Sequence, residues 1–283
     1  MIRPETPACR FAPSPTGYLH LGHAYSALFS WQKAREVSAR FLLRIEDIDT
    51  TRCRKIFEQA LYEDLAWLGL EWEIPVRRQS EHLPEYQSAL DKLAQRGLIY
   101  PCFCTRKDIA EEIGQSGNAP HGPDGVIYPG ICKHLSSSEQ KDRKDGGAPY
   151  ALRLHMDRAL AQSGTLFWQD LAAGDVHATP EIFGDVVLAR KDIATSYHLS
   201  VTLDDALQGI TYVTRGRDLF EATHIHRLLQ ALLDLPVPRW HHHELVSDDQ
   251  GVRLAKRHNA LAIRVLREEG KKPDDIRKMI GLL

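Results

Sequence analysis

Apolar residues along the chain follow helical spacing in some stretches and short, strand-like runs in others. Ile225, Leu228, Leu229, Leu232 and Leu233 match the i, i+3, i+4, i+7, i+8 spacing of an amphipathic helix completely. Phe57, Ala60, Leu61, Leu65 and Leu68 recur at helical spacing and predict a helix over 55–68. Tyr86, Leu90, Leu93 and Ala94 mark another, stopped by Gly97. Residues 8–12 form a short strand ended by Pro13, a helical stretch covers 20–36, and 39–45 (ARFLLRI) is apolar and strand-like. Alternating strands and helices over the first hundred residues predict an α/β fold with a parallel sheet.

The middle of the chain breaks this pattern. Residues 114–130 are rich in Gly, Pro and Asn, and 136–147 are polar and charged, which predicts an insertion with its own local structure. The α/β pattern returns with 185–189 and 197–203, and 210–214 adds another strand. A turn bounded by Pro236 and Pro238, a short strand near Trp240, a polar loop and helices over 260–269 and 273–282 complete the chain. The expected organisation is a Rossmann-like sheet whose first half is 1–97 and second half 185–240. An inserted subdomain spans 98–184, and a loop with terminal helices spans 241–283.

With 283 residues the chain is long enough for about two domains. An apolar fraction of 43% and a charged fraction of 26% exclude a disordered or fibrous chain. Lys plus Arg number 36 against 38 Asp plus Glu, so net charge announces no nucleic-acid partner, although a basic face can sit on a neutral protein. The five cysteines are too few, and odd in number, for a secreted disulfide framework. No apolar signal region or membrane-length run is present, so the expectation is a soluble, cytoplasmic monomer with no membrane partner.

Two segments point to phosphate chemistry. Pro13 to His23 reads P-S-P-T-G-Y-L-H-L-G-H, after a strand and opening a helix, where backbone N–H groups and the helix dipole favour an anion. His20 and His23 are three residues apart, and Gly22 leaves room for a base or sugar against the backbone. Two imidazoles there can donate to ATP phosphates as charge develops. Arg253 to Arg257 reads R-L-A-K-R, a basic run after Gly251; such runs are usually solvated surface, but on a loop they can close over a triphosphate.

Together these segments resemble the "HIGH" and "KMSKS" signatures of class I aminoacyl-tRNA synthetases. R-F-A-P-S-P-T-G at 10–17, R-I-E-D-I-D-T-T-R at 44–52 and the run 197–219 are similar to glutamyl-tRNA synthetase. Ala255 stands in the serine slot of the second signature, and Lys256 keeps its lysine. Only 26 residues follow Arg257, where glutamyl- and glutaminyl-tRNA synthetases continue into an anticodon-binding domain. The expectation is a chain without that domain, similar to the glutamyl-Q tRNA(Asp) synthetase family.

That resemblance implies tRNA-independent activation of L-glutamate with Mg²⁺-bound ATP, then transfer of glutamate to queuosine at the wobble position of tRNA(Asp). It implies ATP contacts at His20, Gly22, His23 and Lys256, with both histidines and the lysine catalytic. Glutamate needs cations for its carboxylates and an anion for its ammonium, and Arg10, Arg215 and Glu46 all lie near carboxyl ends of predicted strands. The resemblance assigns glutamate contacts to these three, to Phe11, Ala12, Pro13 and Ser14, and to Tyr197.

Cys102, Cys104 and Cys132 sit in the insertion at a spacing that can chelate structural zinc, one ion per chain, with His121, His134 or Tyr128 as fourth ligand. The resemblance points to Tyr128. Cys9 and Cys53 read as structural, and His241, His242 and His243 as part of a strand and not a metal site.

Three other readings are weighed against this one. A glutamyl-tRNA synthetase fragment would charge a tRNA 3′ end. A small-molecule nucleotidylyltransferase also uses H-x-G-H, but the insertion and the two-arginine, one-glutamate pocket disfavour it. A non-catalytic RNA-binding paralogue would have lost His20, Gly22, His23 or Lys256, and all four are present.

Overall fold

The computed structural model describes residues 6–116, 121–246 and 262–282. Its strands are β1 (Ala8–Phe11), β2 (Arg40–Ile45), β3 (Glu73–Arg78), β4 (Ile99–Cys102), β5 (His121–Gly122), β6 (Gly125–Val126), β7 (Ala151–Leu154), β8 (Phe167–Asp170), β9 (Gly174–His177), β10 (Val187–Ala189), β11 (Tyr212–Gly216) and β12 (Arg239–His243). Its helices are α1 (Leu21–Glu36), α2 (Lys55–Trp67), α3 (Leu83–Gln95), α4 (Arg106–Ser116), α5 (Ser137–Asp145), α6 (Met156–Ser163), α7 (Tyr197–Leu207), α8 (Ala222–Leu232), α9 (Ile263–Glu268) and α10 (Pro273–Met279).

Seven strands form the main sheet in the order β3-β2-β1-β11-β12-β8-β9. All neighbours are parallel except β9, which pairs antiparallel with β8. This is the expected α/β fold with a mostly parallel central sheet.

Strand alternation sorts the core onto two faces. Cys9, Phe11, Phe41, Leu43 and Ile45 pack with α1, α2, α9 and α10 on one face. Ala8, Leu42, Val213 and Trp240 pack with α3, α6, α7 and α8 on the other. The same alternation sends Arg10 and Arg44 toward the α7 side, where both are buried. Ile225, Leu228, Leu229 and Leu232 of α8 are almost fully buried, each stabilising by about 1.5–3 kcal/mol.

A second sheet, β10-β7-β4, is antiparallel, and β5 and β6 form a separate hairpin. Leu154, Leu188 and Ala189 join the second sheet to the main core, and a smaller cluster of Tyr100, Cys102, Tyr128 and Cys132 lies at its cysteine end.

Several segments differ from the sequence expectations. Residues 197–203 fall within α7, started by Ser196, whose hydroxyl accepts the Leu199 N–H. Leu199 to Asp205 are all buried, so no apolar stripe marks this helix. The polar stretch 136–147 contains α5, which buries no side chain and is held by the Ser136–Glu139 capping box. Edge strand β3 carries Pro75 and three exposed residues, and lacks a strand pattern. Sheet membership also crosses the expected boundaries. β8 and β9, from within 98–184, join the main sheet, whereas β10, from within 185–240, joins the small one.

Candidate active site

β1 and β11 are neighbours, and the sheet continues from β1 into β2 and from β11 into β12, on opposite sides. At such a switch point the connections diverge and leave a crevice beyond the carboxyl ends of the strands. A cavity of about 570 Å³ lies there. It is lined by Arg10 to Ser14 at the end of β1, by His20, Gly22 and His23 at the start of α1, and by Glu46, Tyr197 and Arg215. These predicted site residues therefore share one cavity. Lys256 lies outside the described residues.

The two cavity arginines differ in how their charge is met. Arg10 donates through Nε to Asp205 Oδ1 at 2.8 Å, through Nη2 to Asp205 Oδ2 at 3.3 Å and through Nη1 to the Thr214 carbonyl at 3.3 Å. Asp205 also accepts from Arg44 at 2.8 Å. Burial alone would raise the Asp205 carboxyl, but the Arg10 and Arg44 charges outweigh it and hold it below its ordinary value. Arg215 instead donates to His242 Nε2 at 3.1 Å, His226 Nδ1 at 3.1 Å, Tyr197 Oη at 3.2 Å and Thr223 Oγ1 at 2.6 Å. None of these partners is a carboxylate, so among the described residues no anion contacts this guanidinium although the residue is 6% exposed.

Glu46 follows β2 and is fixed by its N–H donating to the Pro13 carbonyl at 3.0 Å. One carboxylate oxygen receives Arg44 Nη2 at 3.3 Å, and burial raises this carboxyl above its ordinary value despite the nearby arginines. A buried carboxylate with spare acceptor capacity is suited to an ammonium.

The first turn of α1 sets the two imidazoles. His20 is the N-cap: its Nδ1 accepts the Gly22 N–H at 3.1 Å, while His23 Nδ1 accepts the His20 N–H at 3.3 Å. Burial lowers both, His23 to about 4 with help from His20. Each ring is thus neutral near neutral pH with its proton on Nε2, a donor to whatever enters the cavity. A Cβ at Gly22 would stand 3.1 Å from His20 Cε1, so the glycine also gives the cap its room. Residues after the R-L-A-K-R segment return to this point, since Ile263 N donates to the Leu19 carbonyl at 2.7 Å and Ala262 bridges His20.

In the insertion, the sulfurs of Cys102, Cys104 and Cys132 lie within 4.8 Å of one another. Tyr128 Oη is 3.4 Å from Cys104 Sγ and accepts the Cys132 N–H at 2.8 Å. Tetrahedral zinc with bonds near 2.3 Å needs sulfurs about 3.8 Å apart, so this group fits a metal ion. Neither His121 nor His134 joins the cluster.

Sequence reasoning did not single out Asp205, Arg44, His226, Thr223 or Asp170, and read His242 only as a strand residue. Asp205 lies in the quoted 197–219 run, but helical placement against β1 and β2 was needed to show its role. His242 Nδ1 lies 2.7 Å from Asp170 Oδ2. His243, beside it, lines the cavity and bonds Ser26 at 3.0 Å.

The family model for class I tRNA synthetases (E and Q), catalytic domain, matches residues 8–283. The chain is 53% identical over 280 residues to a glutamyl-Q tRNA(Asp) synthetase of Rhodobacter capsulatus, covering 96% of this chain and 99% of that protein. It is 39% identical over 276 residues to a glutamate–tRNA ligase of Aquifex aeolicus, covering 97% of this chain and 56% of the ligase. The crystal structure of glutamate-tRNA synthetase from Elizabethkingia anophelis superposes with a TM-score of 0.77 at 26% identity, over 94% of this chain and 54% of that one.

Proposed function

We propose, since the chain belongs to the class I tRNA synthetase (E and Q) catalytic-domain family, that it activates L-glutamate with ATP and transfers the glutamyl group to queuosine in tRNA(Asp). The observation that carries the amino-acid half of this reading is Arg215: a buried cation with four neutral partners, facing the same cavity as a buried carboxylate, Glu46. Arg215 and Tyr197 hold one substrate carboxylate, Arg10 the other, and Glu46 the ammonium. The Phe11 to Ser14 backbone closes around the substrate.

A glutamate carboxylate oxygen attacks the ATP α-phosphorus in line, the bond to the β-phosphate oxygen breaks, and pyrophosphate leaves. The Nε2–H groups of His20 and His23 donate to the phosphate oxygens, and the family's second signature assigns Lys256 to the charge of the departing pyrophosphate. Mg²⁺, arriving with ATP, neutralises triphosphate charge. In the second step a queuosine cyclopentene hydroxyl attacks the acyl carbon, loses its proton and releases AMP. Cys102, Cys104, Cys132 and Tyr128 would hold a structural zinc ion that would support the insertion without entering either step.

Glutamate-dependent ATP–pyrophosphate exchange, with and without tRNA, tests this. Exchange without tRNA, followed by labelling of tRNA(Asp) only when queuosine is present, is the expected result. Exchange only with tRNA would favour the 3′-charging reading. Absence of exchange from folded protein would remove glutamate activation altogether.

A further inference from the structure

Arg215 has five N–H donors, and four are engaged by His242, His226, Tyr197 and Thr223. Among the described residues one N–H therefore remains for a ligand. Tyr197 accepts from Arg215, so its own hydroxyl proton is also available, and both residues line the cavity. Two donors backed by a positive charge that no carboxylate contacts among the described residues suit a carboxylate. An amide would turn its NH₂ toward one of them, and a site built on such bonds rejects the mismatched analogue strongly.

This receptor depends on acceptors that orient Arg215 without neutralising it. An imidazole accepts at one nitrogen only when its proton sits on the other. At His242 the choice is fixed by Asp170, whose Oδ2 lies 2.7 Å from Nδ1, with both side chains 1% exposed. The carboxylate can only accept, so Nδ1 carries the proton and Nε2 is left to receive Arg215 Nε–H. Asp170 is itself pinned. Its Oδ1 accepts the Ala172 and Ala173 N–H groups at 2.9 Å each, and Oδ2 also accepts the His242 N–H at 3.1 Å. The pairing of β12 with β8, Trp240 opposite Asp170, brings these groups together. A carboxylate in place of His242 would hold Arg215 equally well but reduce the charge it offers the substrate.

We propose that His242, its tautomer fixed by Asp170, is a positioning residue that holds Arg215 as a charged, carboxylate-free receptor and sets the preference for glutamate over its amide. The inference rests on the glutamate-activating reading above and deepens it.

Two substitutions separate this role from a merely structural one. In His242→Gln the amide oxygen reaches the Nε2 position and can still accept from Arg215, while the Asp170 contact is lost. In His242→Asn the amide keeps the donor to Asp170 and loses the acceptor for Arg215. Pyrophosphate exchange is measured on the full chain with glutamate, glutamine and ATP each varied, alongside thermal melts.

Losing a charge-assisted bond should raise the glutamate KM of His242→Asn roughly ten- to hundredfold, with the ATP KM unchanged and discrimination against glutamine reduced. His242→Gln should stay within a few-fold of the parent. Asp170→Asn, which donates to Nδ1 and moves the ring proton to Nε2, should follow His242→Asn, and it decides the question if His242→Asn fails to fold. An unchanged glutamate KM in His242→Asn or Asp170→Asn overturns the inference, as does His242→Gln failing while His242→Asn is retained. If the parent protein exchanges with glutamate and the variants match it, only this inference falls. If the parent shows no glutamate-dependent exchange, the functional reading falls and takes this with it.

Discussion

The rings of His20 and His23 face each other with centroids 3.8 Å apart, and each turns its Nδ1 onto a backbone N–H at the start of α1. The capping duty of these imidazoles and their proposed chemistry use different nitrogens. His20→Asn separates them, because an asparagine oxygen can accept the Gly22 N–H as a good N-cap but offers nothing at the Nε2 position. The melting temperature should hold while kcat for glutamate-dependent exchange falls about 10²- to 10³-fold. A variant with parental kcat would take His20 out of the reaction.

Buried neutral histidines tie stability to pH. His242 is pushed down to about 4 from 6.5, by burial and then by the Arg215 charge. A base depressed in the native state contributes stability that is complete above 6.5 and lost as pH falls through 4. His242→Gln lacks this dependence. The stability of the parent relative to this variant should therefore decline between pH 6.5 and 4. Thermal melts of both proteins across that range check it; a constant difference would mean that the fold does not depress this ring.

Asp64 works in the opposite sense. Among the described residues neither of its buried carboxylate oxygens has a hydrogen bond, Arg267 Nη1 approaches only to 3.6 Å, and burial raises the carboxyl to about 6 from 3.8. An acid raised in the native state contributes stability that is full below 3.8 and lost as pH rises through 6. Asp64→Asn should therefore gain on the parent across that window and be more stable at pH 7.5 by on the order of 1–2 kcal/mol. Denaturant unfolding at pH 5 and 7.5 measures this; a less stable variant at pH 7.5 would show that the Arg267 pair outweighs the burial cost.

The insertion offers a metal test. Leu154, Leu188 and Ala189 tie its sheet to the main core, whereas the cluster at its cysteine end buries Tyr100, Tyr128, Cys102 and Cys132, too little apolar surface to hold that end by itself. Purified protein dialysed against a mild chelator should retain about one equivalent of zinc. Stripping the metal with a strong chelator should open the segment between Cys104 and Cys132 to protease while the main sheet stays protected. Less than about a tenth of an equivalent in the dialysed protein would remove the zinc assignment.

The sequence by itself determined the elements whose side chains carry a period or a punctuation mark. α8 was legible because Ile225, Leu228, Leu229 and Leu232 face one core, and β1 because Pro13 ends a buried run. The candidate site was legible in part, since Arg10, Glu46, Tyr197 and Arg215 could be placed at strand ends or in motifs, and the cysteine group by its spacing. α7 was not legible as a helix, since complete burial of Leu199 to Asp205 erases amphipathic contrast. α5 lacked any apolar face, although its Ser136–Glu139 capping box was written in the chain.

Only the tertiary structure decided what each charged group does. Arg10 and Arg215 look alike in sequence, but α7 brings Asp205 to the first and β12 brings His242 to the second. The partner residues stand 195 and 27 positions away in the chain. A side chain's type fixes the charge it can carry. How much of that charge is already met before a ligand arrives depends on which distant neighbour packing places within about 3 Å.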